Sequence, residues 1–163
     1  MGHPKKSRRM YERPKRPYDK ERISREKKLL NEFGLRRKSE IWRAESVLRD
    51  YRRRAREMLA KPDEKKQKEL FDSIIKQGLR CTKLDDVLSV KLEDILSRRL
   101  QTMVFKKGLA ITPKHARQLI VHKHISIEGR KIAWPSYIVP AGMEDKIELE
   151  EKAKSKAIEA TNE

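Results

Sequence analysis

Residues 98–131 read RRLQTMVFKKGLAITPKHARQLIVHKHISIEGRK, and this stretch predicts the fold of the C-terminal half. It holds nine basic residues and one acid, Glu128. Apolar residues recur at helical spacing in two places, and a short alternating run then surrounds Gly129. The pattern predicts two helices and a small hairpin. A folded basic surface of this kind indicates a polyanion as its partner.

The second helix of this stretch has a clear start signal. Thr112 supplies a capping hydroxyl, and Pro113 fits the first helical turn. Three apolar residues follow at helical spacing and are expected to be buried: Ala116, Leu119 and Ile120. The exposed side is expected to carry Lys114, Arg117 and Gln118, with Lys123 at the helix end.

The flanking residues extend this module. Residues 84–107 are predicted to form one helical run after their opening turn. Downstream, residues 137–139 and 147–149 are predicted to be further short strands. The module is therefore expected to pack two helices on a short curled antiparallel sheet.

Residues 39–60 predict a long amphipathic helix with Ser39 as its N-cap. Its apolar stripe is Ile41, Ala44, Leu48, Tyr51, Ala55 and Met58. Another side carries Arg49, Arg52, Arg53 and Arg56. Residues 49–56 contain no glutamate four residues before an arginine. We therefore expect RNA phosphates to supply the counter-charge for this cluster.

The remaining segments predict an arm and a structural helix. Pro4, Pro14 and Pro17 favour an extended N-terminal arm, followed by a short helix over residues 22–33. Residues 61–77 are charge-balanced and predict a helix whose apolar face is Leu70, Phe71, Ile74 and Ile75. Cys81 is expected to pack nearby as a small apolar side chain.

Charge is distributed in two blocks. The 163 residues hold 42 Lys and Arg against 25 Asp and Glu, for a formal net charge of +17. Residues 1–60 carry 21 basic and 9 acidic side chains, and residues 96–131 carry 9 and 1. The other two parts of the chain are neutral or acidic. Two separated basic blocks predict two contact surfaces for nucleic acid, with an anionic membrane surface as the weaker alternative.

Several classes of protein and site are disfavoured. One cysteine allows no disulfide within the chain, and neither a signal peptide nor a membrane span is evident, so we expect a cytosolic protein. Zinc sites need four ligands at tight spacing, so His115, His122 and His124 are interpreted as phosphate or sugar contacts and helix-end residues rather than metal ligands. No catalytic motif or small-molecule phosphate loop is present.

RNA is favoured over duplex DNA as the polyanion. A helix-turn-helix protein places base-reading side chains at the start of its recognition helix. The corresponding exposed residues here are chiefly phosphate-contacting types, which position a protein on a folded backbone. Recognition of RNA shape therefore fits better, while a sequence-specific DNA regulator remains an alternative.

The module contains five short motifs: LSRRLQT (96–102), HARQLI (115–120), ISIEG (125–129), PSYIVP (135–140) and Gly142 with DKI (145–147). Together they resemble the RNA-binding domain named after small-subunit ribosomal protein four. Met143 and Glu144 separate the glycine and aspartate that usually adjoin in that family. The domain also occurs in pseudouridine synthases, some tRNA synthetases and a heat-shock protein, so by itself it implies RNA binding only.

The N-terminal half also resembles the ribosomal protein family, in its archaeal and eukaryotic form. RPYDKER (16–22), EFGLRRK (32–38) and IWR (41–43) look like the family's arm and first helices. This resemblance implies a primary binder of small-subunit rRNA that acts early in assembly and supports decoding accuracy. It also implies contact with small-subunit ribosomal protein five and messenger RNA near the entry channel, with no cofactor.

The predicted fold class is α+β, with four parts: an extended basic arm (1–38), a helical domain (39–95), the RNA-binding module (96–150) and a polar tail (151–163). The predicted RNA-binding residues of the module are Arg98, Arg99, Lys106, Lys107, Lys114, His115, Arg117, Gln118, His122, Lys123 and Lys131. Those of the N-terminal half are Arg36, Arg37, Arg43, Arg49, Arg52, Arg53 and Arg56.

A ribosomal protein without enzymatic activity is the function that the sequence favours. The alternative is a non-ribosomal assembly or stress factor, or a fragment of an RNA-modifying enzyme, that uses the same module. An enzyme would need an added catalytic domain, and 163 residues leave no unassigned segment large enough.

Overall fold

The computed structural model describes residues 9–79 and 81–150; the predicted tail and the start of the predicted arm lie outside these residues. The helices are α1 (Lys20–Glu32), α2 (Lys38–Ala60), α3 (Glu64–Lys76), α4 (Leu84–Ser89), α5 (Leu92–Ser97), α6 (Leu100–Lys106) and α7 (Pro113–Val121). The strands are β1 (Ile125–Ile127), β2 (Arg130–Lys131) and β3 (Ile147–Leu149). The α+β class is confirmed.

The long helix α2 is the centre of the first hydrophobic core. All six residues of its predicted apolar stripe are buried, and Ile41 and Ala55 have no exposed surface at all. Helices α1, α3, α4 and α5 pack around it, and Phe33 and Leu35 close the core beside α1. The last part of the predicted arm, from Lys20 to Leu35, therefore forms a helix and part of the core rather than extended chain. The short helix predicted over residues 22–33 corresponds to α1.

The start of α2 differs from the prediction. Arg37 is the N-cap residue, and Ser39 lies inside the first turn. Glu40 instead accepts the backbone N–H groups of Arg36 and Arg37, each at 3.3 Å. A carboxylate in the first turn can satisfy these free donors and also favours the positive end of the helix dipole.

Residues 84–107 form three short helices, so the prediction of one helical run is wrong. Asp86 accepts the backbone N–H of Lys83 at 2.9 Å, and Asp94 accepts that of Lys91 at 2.8 Å. Each carboxylate thus starts a new helix, since free N–H groups at a helix start need acceptors. Asp86 and Asp94 thus act as helix-capping residues. In α3, Ile75 of the predicted apolar face is half exposed rather than fully packed.

The second core lies in the C-terminal module, between α6, α7 and the antiparallel sheet. The strand order is β2-β1-β3, and Ile125 pairs with Leu149 and Ile127 with Ile147. Thr112 caps α7 by accepting the backbone N–H of His115 at 3.1 Å. Ala116, Leu119 and Ile120 are buried, as their spacing predicts.

Residues 137–139 do not form the predicted strand of the sheet. They pair instead with the link between α5 and α6, where Arg99 and Ile138 make an isolated antiparallel bridge. The Leu100 N–H donates to the Tyr137 carbonyl at 2.7 Å, and the Val139 N–H donates to the Arg98 carbonyl at 3.0 Å. The break at Arg98 exposes backbone groups that this segment satisfies.

No helix among the described residues is long and apolar enough to cross a membrane.

Candidate nucleic-acid interface

A basic cleft of about 280 Å³ lies where the two halves of the chain meet. Its lining residues are Arg36, Arg37, Glu40, Arg43, Arg117, Pro135 and Ser136. Four arginines therefore surround one carboxylate. The fold brings together residues that are up to about a hundred positions apart in the chain, and both basic blocks contribute to the cleft.

Glu40 joins the two halves through an ion-pair cluster. Its carboxylate accepts Arg117 Nη1 and Nη2, each at 3.2 Å, and Arg99 Nη2 at 2.5 Å. The Arg99 side chain is 9% exposed and that of Glu40 is 17% exposed. Burial alone would raise the pKa of the Glu40 carboxyl, but the hydrogen bond from Arg117 and the charges of Arg99 and Arg117 lower that pKa overall.

Gln101 makes the second link between the halves. This side chain is fully buried, and its amide nitrogen donates to the carbonyls of Phe33 at 3.1 Å, Gly34 at 2.8 Å and Pro113 at 2.9 Å. Its oxygen accepts Arg117 Nη1 at 3.3 Å. The elbow between α1 and α2 is thereby tied to the start of α7. Together with Glu40, this contact fixes the Arg117 side chain and the backbone at Arg36 and Arg37 beside the cleft.

Two of the predicted RNA contacts are internal. Arg98 donates to the carbonyls of Gln77 at 3.1 Å and Val139 at 2.9 Å, and it pairs with Glu144. Arg99 forms the ion pair with Glu40 that is described above. The Arg98 side chain is 12% exposed and that of Arg99 is 9% exposed, and both are already paired. Arg98 and Arg99 therefore stabilise the junction of the two halves and offer little surface to RNA.

The arginine face of α2 is more neutralised than the sequence predicted. Arg49 pairs with Glu12, and Arg53 pairs with Asp50 at 3.3 Å and Glu57 at 3.4 Å. Asp50 lies three residues before Arg53, and Glu57 lies four residues after it. Acids at these helical spacings reach an arginine just as acids four residues before it do, and the prediction considered only the latter. Arg52 donates to the Val90 carbonyl at 2.7 Å, and Arg56 donates to the Arg52 carbonyl at 3.2 Å.

The outer surface of the module carries the remaining predicted contacts. Lys106, Lys114, Gln118, His122 and Lys123 are exposed. Lys131 and Lys107 are paired with Glu150 at 2.8 Å and Asp145 at 3.6 Å. His115 is half-buried, and its Nδ1 accepts the Ile111 N–H at 3.4 Å. Of the exposed residues, Lys114, Gln118, His122 and Lys123 lie on α7 or directly after it.

The histidines occupy separate positions. The rings of His122 and His124 stack with centroids 6.3 Å apart, and His124 Nδ1 lies 3.4 Å from a Glu150 oxygen. Across residues 9–79 and 81–150, no three His, Cys, Asp or Glu side chains gather in a way that could hold a metal ion. His124 ends its helix through its backbone N–H, which donates to the Leu119 carbonyl at 3.0 Å.

Sequence reasoning missed Glu40 and Gln101. Glu40 lies in a first helical turn, where an acid is ordinary, and Gln101 lies beside a buried leucine in a basic stretch. Only their partners show their role, and those partners come from the other half of the chain. Neither residue type carries a local signal for such a contact.

The Glu40 cluster makes stability depend on acidity. Folding lowers the pKa of the Glu40 carboxyl from its ordinary value near 4.5. Its contribution to the free energy of unfolding is therefore complete above that pH, and it is lost as the pH falls through the pKa of the folded state. We therefore expect the urea midpoint of the natural chain to fall more steeply below about pH 4.5 than that of Glu40→Gln. Parallel curves for the two proteins would contradict this assignment.

Comparison with known proteins identifies relatives along most of the chain. The family model described as the S4 domain matches residues 98–145. A small ribosomal subunit protein uS4 of Methanothermobacter thermautotrophicus is 44% identical over 152 residues, covering 90% of this chain and 89% of the relative. A protein of the same name from Methanosphaerula palustris is 48% identical over 154 residues, covering 88% and 85%. One from Saccharolobus islandicus is 46% identical, covering 91% and 85%.

Proposed function

Because this chain belongs to the small ribosomal subunit protein uS4 family, we propose that it is a structural, rRNA-binding constituent of the small ribosomal subunit. The observation that supports this function best is the basic cleft, which joins Arg36, Arg37 and Arg43 of the helical half to Arg117 of the S4 domain. A basic concavity suits a turn of folded RNA backbone, since phosphates supply further counter-charge to four arginines that share one carboxylate.

The proposal includes finer roles that the family resemblance implies. The protein is proposed to bind small-subunit rRNA early in assembly and to support decoding accuracy without enzymatic activity. Its proposed neighbours are small-subunit ribosomal protein five and messenger RNA near the entry channel, and its proposed location is the cytoplasmic ribosome. The stated division of the chain into an arm, a helical domain, a module and a tail also remains a proposal.

The proposed RNA-contacting set is narrower than the predicted one. It retains the exposed basic and polar residues, which are Arg36, Arg37, Arg43, Lys106, Lys114, Gln118, His122 and Lys123. Arg49, Arg53, Lys107 and Lys131 are partly neutralised by acidic neighbours and are placed at its edge. Arg56 donates to a backbone carbonyl and is placed there too. Arg117, His115 and Arg52 shape the surface, because each already makes an internal hydrogen bond.

Arg43 gives the direct test of the basic cleft. It is exposed, and no side-chain hydrogen bond or ion pair engages it within the described part of the chain. Arg43→Ala is expected to weaken binding to transcribed small-subunit rRNA and to reduce the slope of log affinity against log salt by about one, since one phosphate contact is lost. Filter binding across a salt series measures both quantities.

Lys68→Ala is the matched control, because it removes the same charge from the exposed side of α3. This variant should leave the slope unchanged. A salt slope near zero for the natural chain would overturn the electrostatic account, and equal slopes for Arg43→Ala and the natural chain would remove the cleft from the interface. Product formation from RNA in a turnover assay would overturn the structural role.

A further inference from the structure

Trp134 lies on the surface of the protein and is 69% exposed. Trp42, in contrast, is half-buried and donates its indole N–H to Glu26 at 2.9 Å. No hydrogen-bond partner for the Trp134 indole lies within residues 9–79 and 81–150. An exposed tryptophan offers a large apolar ring face on which a ligand can stack.

The backbone around Trp134 is held at several points. The Trp134 carbonyl accepts the Tyr137 N–H at 3.1 Å, and the Pro135 carbonyl accepts the Gln101 N–H at 3.5 Å. On the other side, the Ile132 N–H donates to the Ile125 carbonyl at 3.1 Å, which ties the segment to β1. A ring carried on a restrained backbone loses little conformational entropy when a ligand stacks on it.

Trp134 also lies between two basic groups. Arg130 and Lys131 of β2 are exposed and precede it by three or four residues. Pro135 and Ser136, which follow it directly, line the basic cleft with Arg36, Arg37 and Arg43. Consecutive Cα atoms are about 3.8 Å apart, so the Trp134 backbone adjoins the residues that line the cleft.

We propose that Trp134 is a stacking platform for an unpaired rRNA base whose backbone enters the basic cleft. The inference rests on the proposed function and adds a type of contact to it. Unstacked bases bind aromatic faces while basic side chains follow the phosphates, and Trp134 beside the cleft arginines has both parts of that arrangement. The ligand is therefore a bulged or looped nucleotide rather than a continuous duplex.

The surrounding charge favours RNA over a protein as the partner. A protein interface around an aromatic anchor is usually depleted of charge at its centre. Here the anchor lies in the chain between exposed Arg130 and two residues of a cleft whose four arginines share one carboxylate. A polyanion compensates those charges as the ring becomes covered.

Intrinsic fluorescence tests the stacking directly. Small-subunit rRNA transcribed from the source organism's gene is expected to quench the emission of the natural chain, because stacking places a base on the Trp134 ring. A fully paired RNA duplex supplies phosphates without an unpaired base and should bind more weakly with no comparable quench. In Trp134→Phe the only remaining indole is Trp42, and the quench should disappear while most of the affinity remains.

Affinity and salt dependence separate this proposal from the proposed function. Trp134→Ala is expected to weaken rRNA binding roughly 5- to 100-fold at fixed salt, with the salt slope unchanged, because stacking releases no counterions. Arg43→Ala should instead reduce the slope. Circular dichroism and thermal unfolding of Trp134→Ala should match the natural chain, since an exposed side chain supports little of the fold.

The outcomes are distinguishable. If Arg43→Ala lowers the salt slope and Trp134→Ala leaves rRNA affinity unchanged, the stacking proposal fails and the proposed function stands. If neither the natural chain nor the variants bind rRNA, the proposed function itself fails. Unchanged rRNA affinity combined with loss of Trp134→Ala from intact small subunits would identify a protein partner for this ring and would overturn the base contact.

Discussion

Glu40→Ala is expected to lower the free energy of unfolding by about 3–5 kcal/mol, because it leaves the buried Arg99 guanidinium without its counter-charge. Arg117 is 25% exposed and can turn toward water, whereas the Arg99 side chain is only 9% exposed. The same substitution frees the N–H groups of Arg36 and Arg37 at the start of α2. Urea unfolding followed by circular dichroism measures the loss.

Glu57→Ala on the same helix is the control for this prediction. Glu57 pairs with Arg53 at 3.4 Å, but both side chains are about 60% exposed. Such surface pairs contribute roughly 0–1 kcal/mol, so this variant should be nearly as stable as the natural chain. Equal losses in Glu40→Ala and Glu57→Ala would show that the Glu40 cluster does not hold the two halves together.

A second variant separates the lost charge from the lost packing. Glu40→Gln keeps the shape of the side chain and one acceptor oxygen, but it removes the negative charge. It should lose most of the stability that Glu40→Ala loses, since the unpaired Arg99 charge causes the main penalty. Full stability of Glu40→Gln at neutral pH would assign the effect to packing instead.

Gly34→Ala is expected to destabilise the protein by about 2–5 kcal/mol, combining backbone strain with overpacking. Gly34 follows α1 with φ of +60°, which side chains rarely adopt. An added Cβ would lie 2.7 Å from Pro113 Cβ and 2.9 Å from Gln101 Nε2. The elbow between α1 and α2 would have to move away from α7, and the amide contacts of Gln101 would weaken.

Gly108→Ala separates the backbone strain from the overpacking. Gly108 also follows a helix, with φ of +71°, but a Cβ there meets no atom within 4 Å among the described residues. This variant should lose only about 1–2 kcal/mol from the left-handed backbone. The difference between the two alanine variants in thermal unfolding then measures the close approach of the two halves at Gly34. No difference would contradict that close approach.

Local patterns predicted most helices and the small sheet because the information for them lies within a few residues. The stripe from Ile41 to Met58 has one interpretation at helical period, and all its members are buried. Thr112 and Pro113 start α7 where expected. The prediction was wrong where distant residues compete for the backbone, as at Arg98 and Arg99, where residues 137–139 satisfy the groups that a continuous helix would have used.

The sequence by itself determined the α+β class, both basic blocks and RNA as the favoured partner, since charge and hydrophobic period are properties of the chain. Tertiary structure alone decided which basic residues remain available. Arg98 and Arg99 have the same local signal as Arg43, yet their side chains are only 12% and 9% exposed and pair with Glu144 and Glu40. An ion pair between positions 59 residues apart depends on how the halves pack, and that packing also creates the basic cleft and places Trp134 beside it.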